Sequence, residues 1–294
     1  MDLQLNEPVM KRDNYVPFPA ENTGMNIDEM PKLLADNRYP LPFAGSMKLK
    51  LRALDLYASV LESPNQYAPE YRAKISKFFK DTWSNYADTG DAIFQRPDGN
   101  ARINLVNPQT ARDSEFLKYI NPENKKNLRN GSIVLPDGMY DSANGMPELS
   151  KAEVEKFTDK AYSNLDALDN KIWRILARHP DMVPKELAED PELLKTFTKA
   201  VNYLSALAFD YKENMGVYVA NPEKDADTAR LWYAVRLGNG SNAFGRDVLL
   251  NVNGRLVGVA PEAPRLAVPS SERLEQIIAT LNTHKTGVNQ LLVE

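Results

Sequence analysis

The 294-residue sequence has no cysteine and only two histidines, His179 and His284. The first absence excludes disulfides, thiolate metal centres, iron–sulfur clusters and cysteine nucleophiles. The second leaves little for metal binding or acid–base chemistry, and no metal site or cofactor is expected. No apolar run approaches the roughly 20 residues of a membrane span. The opening stretch lacks the apolar core of a signal peptide, so the expected location is the cytoplasm, or a virion or other assembly built there, with no membrane partner. The 36 basic and 40 acidic residues give a net charge of −4, which argues against a nucleic-acid binder that relies on bulk positive charge. Glycine is scarcer than proline, 14 against 20, and this points to stiff, extended connections.

What is present divides into three stretches. Residues 1–45 read as an extended, Pro-rich arm. Six prolines interrupt every candidate helix except 27–36, where Pro31 suits a first turn, yet the stretch carries Tyr15, Phe18, Tyr39 and Phe43, apolar anchors that a flexible linker would not have. Residues 46–220 read as a mainly helical domain with a long loop at 121–149. Stripes at three- and four-residue spacing predict helices over 47–61 (capped by Ser46), 70–86 and, more weakly, 110–120. The strongest pattern is 150–178, opened by the Ser150/Glu153 capping box and continued by Val154, Phe157, Ala161, Leu165, Leu168, Ile172 and Ile175. A second long helix over 192–213 completes an expected antiparallel pair. Residues 221–294 read as a small α/β region. There Asn253-Gly254, between two apolar runs, predicts a hairpin, 230–237 reads either as a third strand or as the end of a helix beginning near Pro222, and Ser270 or Ser271 caps a last helix ending before Gly287. The expected fold class is therefore α+β, mainly α, with a long-helix pair, a C-terminal β-hairpin and the arm.

Short motifs carry little. Asp88-Thr89-Gly90 matches the aspartic-protease triplet, but that chemistry needs two copies, and the preceding amphipathic stretch makes a helix-ending turn the simpler reading. The glycine-rich stretch 238–245 lacks the strand–loop–helix order of a phosphate cradle and reads as a turn. His179 and His284 sit where helix ends favour cations. The acidic doublets Asp225/Asp227 and Asp137/Asp141 lack a calcium-loop pattern. No catalytic residue is assigned.

Two sets of candidate residues remain. Tyr15, Phe18, Tyr39, Phe43, Met139 and Tyr140 are expected at a subunit interface, because aromatic anchors on Pro-broken segments need a surface to cover them. Lys48, Lys50, Arg72, Lys74 and Lys77, with Tyr71 and Trp83 nearby, form the basic–aromatic mixture of a nucleic-acid groove. The profile suggests a structural or assembly protein, an oligomeric subunit of a tailed-phage-like virus particle or similar complex, with copies of itself or other subunits as partners. An enzyme using Asp, Glu, Lys or Tyr without a local motif is the alternative, followed by a nucleic-acid-associated accessory protein.

Overall fold

Side chains along Ala87–Gln95 alternate between two apolar surroundings, and that alternation organises the molecule. Ala92 and Phe94 enter one core cluster and Ile93 another, as the two-residue period of a strand requires when both faces are covered. The computed structural model describes residues 15–18, 24–162, 164–210, 214–237, 242–245, 250, 254–263 and 265–293. The elements run β1 (Tyr15–Phe18), α1 (Asn26–Ala35), β2 (Tyr39–Pro40), α2 (Phe43–Glu62), α3 (Pro69–Trp83), β3 (Ala87–Gln95), β4 (Ala101–Asn104), α4 (Glu115–Tyr119), β5 (Leu128–Arg129), β6 (Ser132–Val134), α5 (Met139–Ser142) and β7 (Glu148–Leu149). They continue with α6 (Lys151–Phe157), β8 (Lys160–Tyr162), α7 (Asn164–Asp169), α8 (Lys171–Leu176), α9 (Leu193–Phe209), β9 (Asn214–Val219), β10 (Thr228–Ala234), β11 (Ala243–Gly245), β12 (Leu256–Val259), α10 (Ser271–Thr283) and α11 (Lys285–Val293).

Among the described residues, 12 strands join one mixed sheet whose main order is β1-β12-β3-β10-β11-β9-β8. The β12/β3 and β11/β9 pairs are parallel. β10 runs along one edge of β3, while β12 and β4 share the other. Strands from all three of the expected sequence stretches meet in this sheet. On one face α2, α3, α9, α10 and α11 build the larger core; on the other, α1 and α4 cover Ala92, Phe94, Ile133 and Leu231. Tyr57 stacks on Phe79 at 4.5 Å between ring centres, and Trp83 on Phe197 at 6.1 Å, joining α2 to α3 and α3 to α9.

The sheet overturns the mainly helical expectation, and the long helix over 150–178 is where it fails. The capping box is present, with the Ser150 side chain accepting from Glu153 N–H and the Glu153 carboxylate accepting from Ser150 N–H. The helix it opens nevertheless ends at Phe157. Asp159 follows at φ 56° and Lys160–Tyr162 pairs with β9 as a strand. Asn170 then stops α7 from continuing into α8, because its Oδ1 caps Ile172 and Trp173 while its Nδ2 donates to the Phe157 carbonyl. A cap specifies where a helix starts, not how long it runs. Ile172, Phe197, Val201 and Leu204 still share the larger core, with Phe157 and Leu168 at its margin.

Other expectations are corrected in detail. α2 begins at Phe43, ahead of the predicted Ser46 cap. Within the arm, the candidate helix at 27–36 is present as Asn26–Ala35 with Pro31 inside, and its Ile27, Met30 and Leu33 are fully buried, so this part of the arm is not extended. Asn253 and most of its preceding strand lie outside the described residues. Both edges of β12 are taken, by β1 on one side and by β2 and β3 on the other. A two-residue Asn-Gly hairpin does occur at Asn130-Gly131, joining β5 to β6 with φ of 48° and 78°, as a turn with two left-handed residues requires. Stretch 121–149 is thus built from short elements. Gly287 lies inside α11 rather than past the last helix.

Candidate functional site

The site grows from the irregular part of β3. Between Ala92, paired with Leu231, and Asp88, paired with Tyr233, β3 contains two residues more than β10 does. Asp88-Thr89-Gly90 is therefore not a helix-ending turn but part of a bulged, buried strand. Gly90 is required there, since a Cβ would lie 2.6 Å from Pro40 Cγ and 2.7 Å from Val106 Cγ2. The bulge aims Asp91, fully buried, at the start of α2. Its Oδ2 accepts from Phe43 N–H at 2.7 Å and its Oδ1 from Val106 N–H at 2.7 Å. Pro42 provides no side-chain cap, so a carboxylate 48 residues away in sequence does that work.

Arg178 reaches the same carboxylate from the opposite direction. α8 ends in a Schellman motif: Arg178 N–H donates to Ile175 O and His179 N–H to Arg174 O, both at 2.9 Å. The left-handed residue of that motif is usually glycine; here it is Arg178, at φ 59°. The turn folds the guanidinium inward, with 3% of the side chain exposed, and Nη2 donates to Asp91 Oδ1 at 3.2 Å and to the Val106 carbonyl. Its Nε is buried without a hydrogen-bond partner.

Above Arg178 opens a cleft of about 690 Å³, within the size range of small-molecule sites. Four segments distant in sequence wall it: 39–48, 107–113, 178–189 and 259–266. Leu41, Pro42, Leu187, Val259 and Leu266 supply apolar surface. Lys48, nearly buried, is held by Glu189 at 2.6 Å. Burial raises the Tyr39 hydroxyl above the usual phenol range, with Arg178 and Arg265 opposing and Glu189 assisting. Arg112 and Arg265 are exposed at the rim.

The residues singled out from sequence scatter. Tyr39 lines the cleft. Phe43 is fully buried against Trp173, ring centres 5.7 Å apart. Tyr140 is buried between Arg96 and Arg102, 4.2 and 4.8 Å from its ring, and burial pushes its hydroxyl to about 12. Met139 packs partly buried against the smaller core. Tyr15 and Phe18 belong to β1, and their side chains lie outside the described set. Of the basic set, Lys48 and Lys50 are buried, Arg72 is half-buried and Lys74 and Lys77 are exposed, Lys77 paired with Asp81 at 2.6 Å. These five therefore form no common surface. Lys50 donates to the Val235 carbonyl at 3.1 Å, and burial, aided by Arg255, lowers its amine to about 7. Arg178, Asp91, Glu189, Arg112 and Arg265 were not singled out. The one signal for them was a charge embedded in an apolar pattern, Asp91 directly before Ala92-Ile93-Phe94.

Among the described residues no group of three or more His, Asp or Glu is placed to hold a metal ion, and no helix is long and apolar enough to cross a membrane. No protein-family model and no curated protein matches the chain. One solved structure, described as the accommodation of massive sequence variation in Nanoarchaeota by the C-type lectin fold, is similar to 85% of this chain and to 100% of its own, with a TM-score of 0.50 and 16% identity. At that identity the likeness concerns the fold alone: a C-type lectin-like arrangement around an extensive sheet, in place of the mainly helical one.

Proposed function

We propose that this protein is a binding protein whose cleft above Arg178 receives a small molecule. The observation that supports this reading is the preorganised floor. A strand bulge, a helix start and a left-handed arginine converge on Asp91, and such rigid placement of a buried polar group is what a recognition site needs. The mixed lining of apolar side chains and a few fixed polar groups has the same character. The assembly reading loses part of its support, because Phe43 and Tyr140, two of the aromatic anchors that suggested it, are covered by the chain itself.

Methyl-detected NMR during a screen of small neutral and charged fragments tests the proposal. Binding should perturb the methyl groups of Leu41, Leu187, Val259 and Leu266, and Ala263→Trp, which fills the cleft from its rim, should abolish those shifts. Fragments that leave these methyls unmoved, or that bind the blocked variant equally well, would overturn it.

A further inference from the structure

Asn-Gly occurs four times in the chain, and two of the pairs, Asn130-Gly131 and Asn144-Gly145, lie wholly among the described residues. In such a pair the glycine nitrogen can approach the asparagine side-chain Cγ, because no Cβ obstructs it. The two pairs share a sequence and differ in what holds them. Asn130 and Gly131 form the hairpin turn between β5 and β6, at φ 48° and 78°. Asn130 Nδ2 donates to Glu223 Oε1 at 2.8 Å, the Asn130 carbonyl accepts from Arg230 Nη2, and the Gly131 carbonyl accepts from Leu250 N–H at 3.2 Å. Asn144 and Gly145 are exposed, in the turn that leads from α5 to β7. Gly145 has φ 88° and nothing within 4 Å of where a Cβ would stand. Its N–H donates to its neighbour's own side chain, Asn144 Oδ1, at 3.1 Å, and among the described residues the Asn144 side chain has no other hydrogen bond. The nitrogen thus already lies against the amide it would attack.

We propose that Asn144 is a self-modification site, converting to aspartate and isoaspartate in the folded protein, and that Asn130 is protected by its hairpin. The Gly145 nitrogen gives its proton to solvent base and bonds to Asn144 Cγ. The Cγ–Nδ2 bond breaks, and the amide nitrogen takes up a proton and leaves as ammonia. Water then opens the resulting succinimide at either carbonyl, giving a normal aspartate or a chain that runs through the side chain. One water is consumed, one ammonia is released and nothing is oxidised or reduced. At Asn130 the same closure requires the residue to leave its turn and drop the Glu223 and Arg230 contacts, and losing even one charged hydrogen bond slows the reaction about tenfold. The product alters its surroundings. Isoaspartate inserts a further main-chain carbon between Ala143 O and Met146 N–H, which are hydrogen-bonded at 3.1 Å, just ahead of Pro147, whose carbonyl accepts from Ile103 N–H at 3.0 Å. Either acid adds a negative charge three residues after Asp141, the partner of Arg96.

The experiment incubates the full-length protein at mildly alkaline pH in heavy-oxygen water, folded and, in parallel, unfolded in urea, and maps the labelled peptides by mass spectrometry. In urea the two pairs should convert at similar rates. In the folded protein Asn144 should convert at least about tenfold faster than Asn130, the factor expected from one lost charged hydrogen bond. Asn144→Gln, altered at an exposed position, should end label uptake at this turn and leave Asn130 unchanged. A rate ratio in the folded protein no larger than that in urea would overturn the proposal, and so would a folded protein that takes up no label at Asn144.

Discussion

Arg178, which lines the cleft, and its partner Asp91 can be set beside Asp88 and Lys50, which do not line it. All four are essentially excluded from water. Asp91 accepts two backbone N–H groups and a guanidinium. Asp88, three residues earlier on the same strand, accepts the Arg255 N–H and a contribution from the Asn26 side chain, and burial still raises its carboxyl to about 6. Among the described residues Lys50 has one carbonyl partner, no counter-ion and the face of Trp83 at 5.4 Å. Burial alone therefore does not define a site. A buried charge that is fully matched fixes geometry, and one that is poorly matched becomes a pH-dependent weakness of the fold.

The largest expected effect separates the two cases. Asp91→Ala should cost about 3–5 kcal/mol in urea unfolding, because it uncaps α2 and leaves Arg178 buried without a counter-charge. A loss below about 1 kcal/mol would show that the matched pair is no more structural than the unmatched groups.

Lys50 sharpens the contrast with the opposite sign. Its folded value near 7 lies below the unfolded 10.5, so between those values the unfolded chain binds more protons and stability rises with pH. The span is on the order of 5 kcal/mol. Lys50→Met should be more stable than the parent at pH 6, and the gap should close toward pH 10. Equal stability curves for the two proteins from pH 6 to 10 would refute it.

Asp88 should act at the acid end. Its folded value near 6 exceeds the unfolded 3.8, so the native state holds the proton longer, and stability falls as pH rises from about 4 to about 6, by on the order of 3 kcal/mol. Asp88→Asn should remove that slope. If the slope persists in the variant, another carboxyl is responsible.

The smallest effect tests the bulge that separates the two carboxylates. Gly90→Ala places a methyl against Pro40 and Val106 and should cost about 1–3 kcal/mol. Because Asp91 is the next residue, the variant should also weaken any ligand bound in the cleft, measured by the same methyl shifts.

Parts of this were legible in the sequence. The stripes of α2, α3, α9 and α10 and the Ser270 cap follow from local periodicity, which reports which side of an element is apolar. Lys50 falls inside the stripe of α2, and sequence reasoning took its charge as evidence of exposure. The division of 150–178 was hidden because Asp159 and Asn170 act through partners on β9 and at Phe157. The cleft was hidden more completely. Asp91 meets Phe43 across 48 residues and Arg178 across 87, and nothing in the spacing of one stretch encodes a partner on another. Arg178 itself stands where a helix-ending glycine is the usual choice, an oddity visible only once the end of α8 is known.

The pairing of β1 with β12 has a consequence for how the chain is made. Tyr15–Phe18 and its partner Leu256–Val259 lie about 240 residues apart in the chain. At about 5–20 residues per second, β1 waits on the order of 10–50 seconds for a neighbour. β3 has one edge open near Asp88 for much of the same interval, since β12 supplies that contact too. The sheet therefore cannot close strand by strand in the order of synthesis, and the nascent chain presents unpaired strand edges to any chaperone, or to any other nascent copy, until β12 has been made.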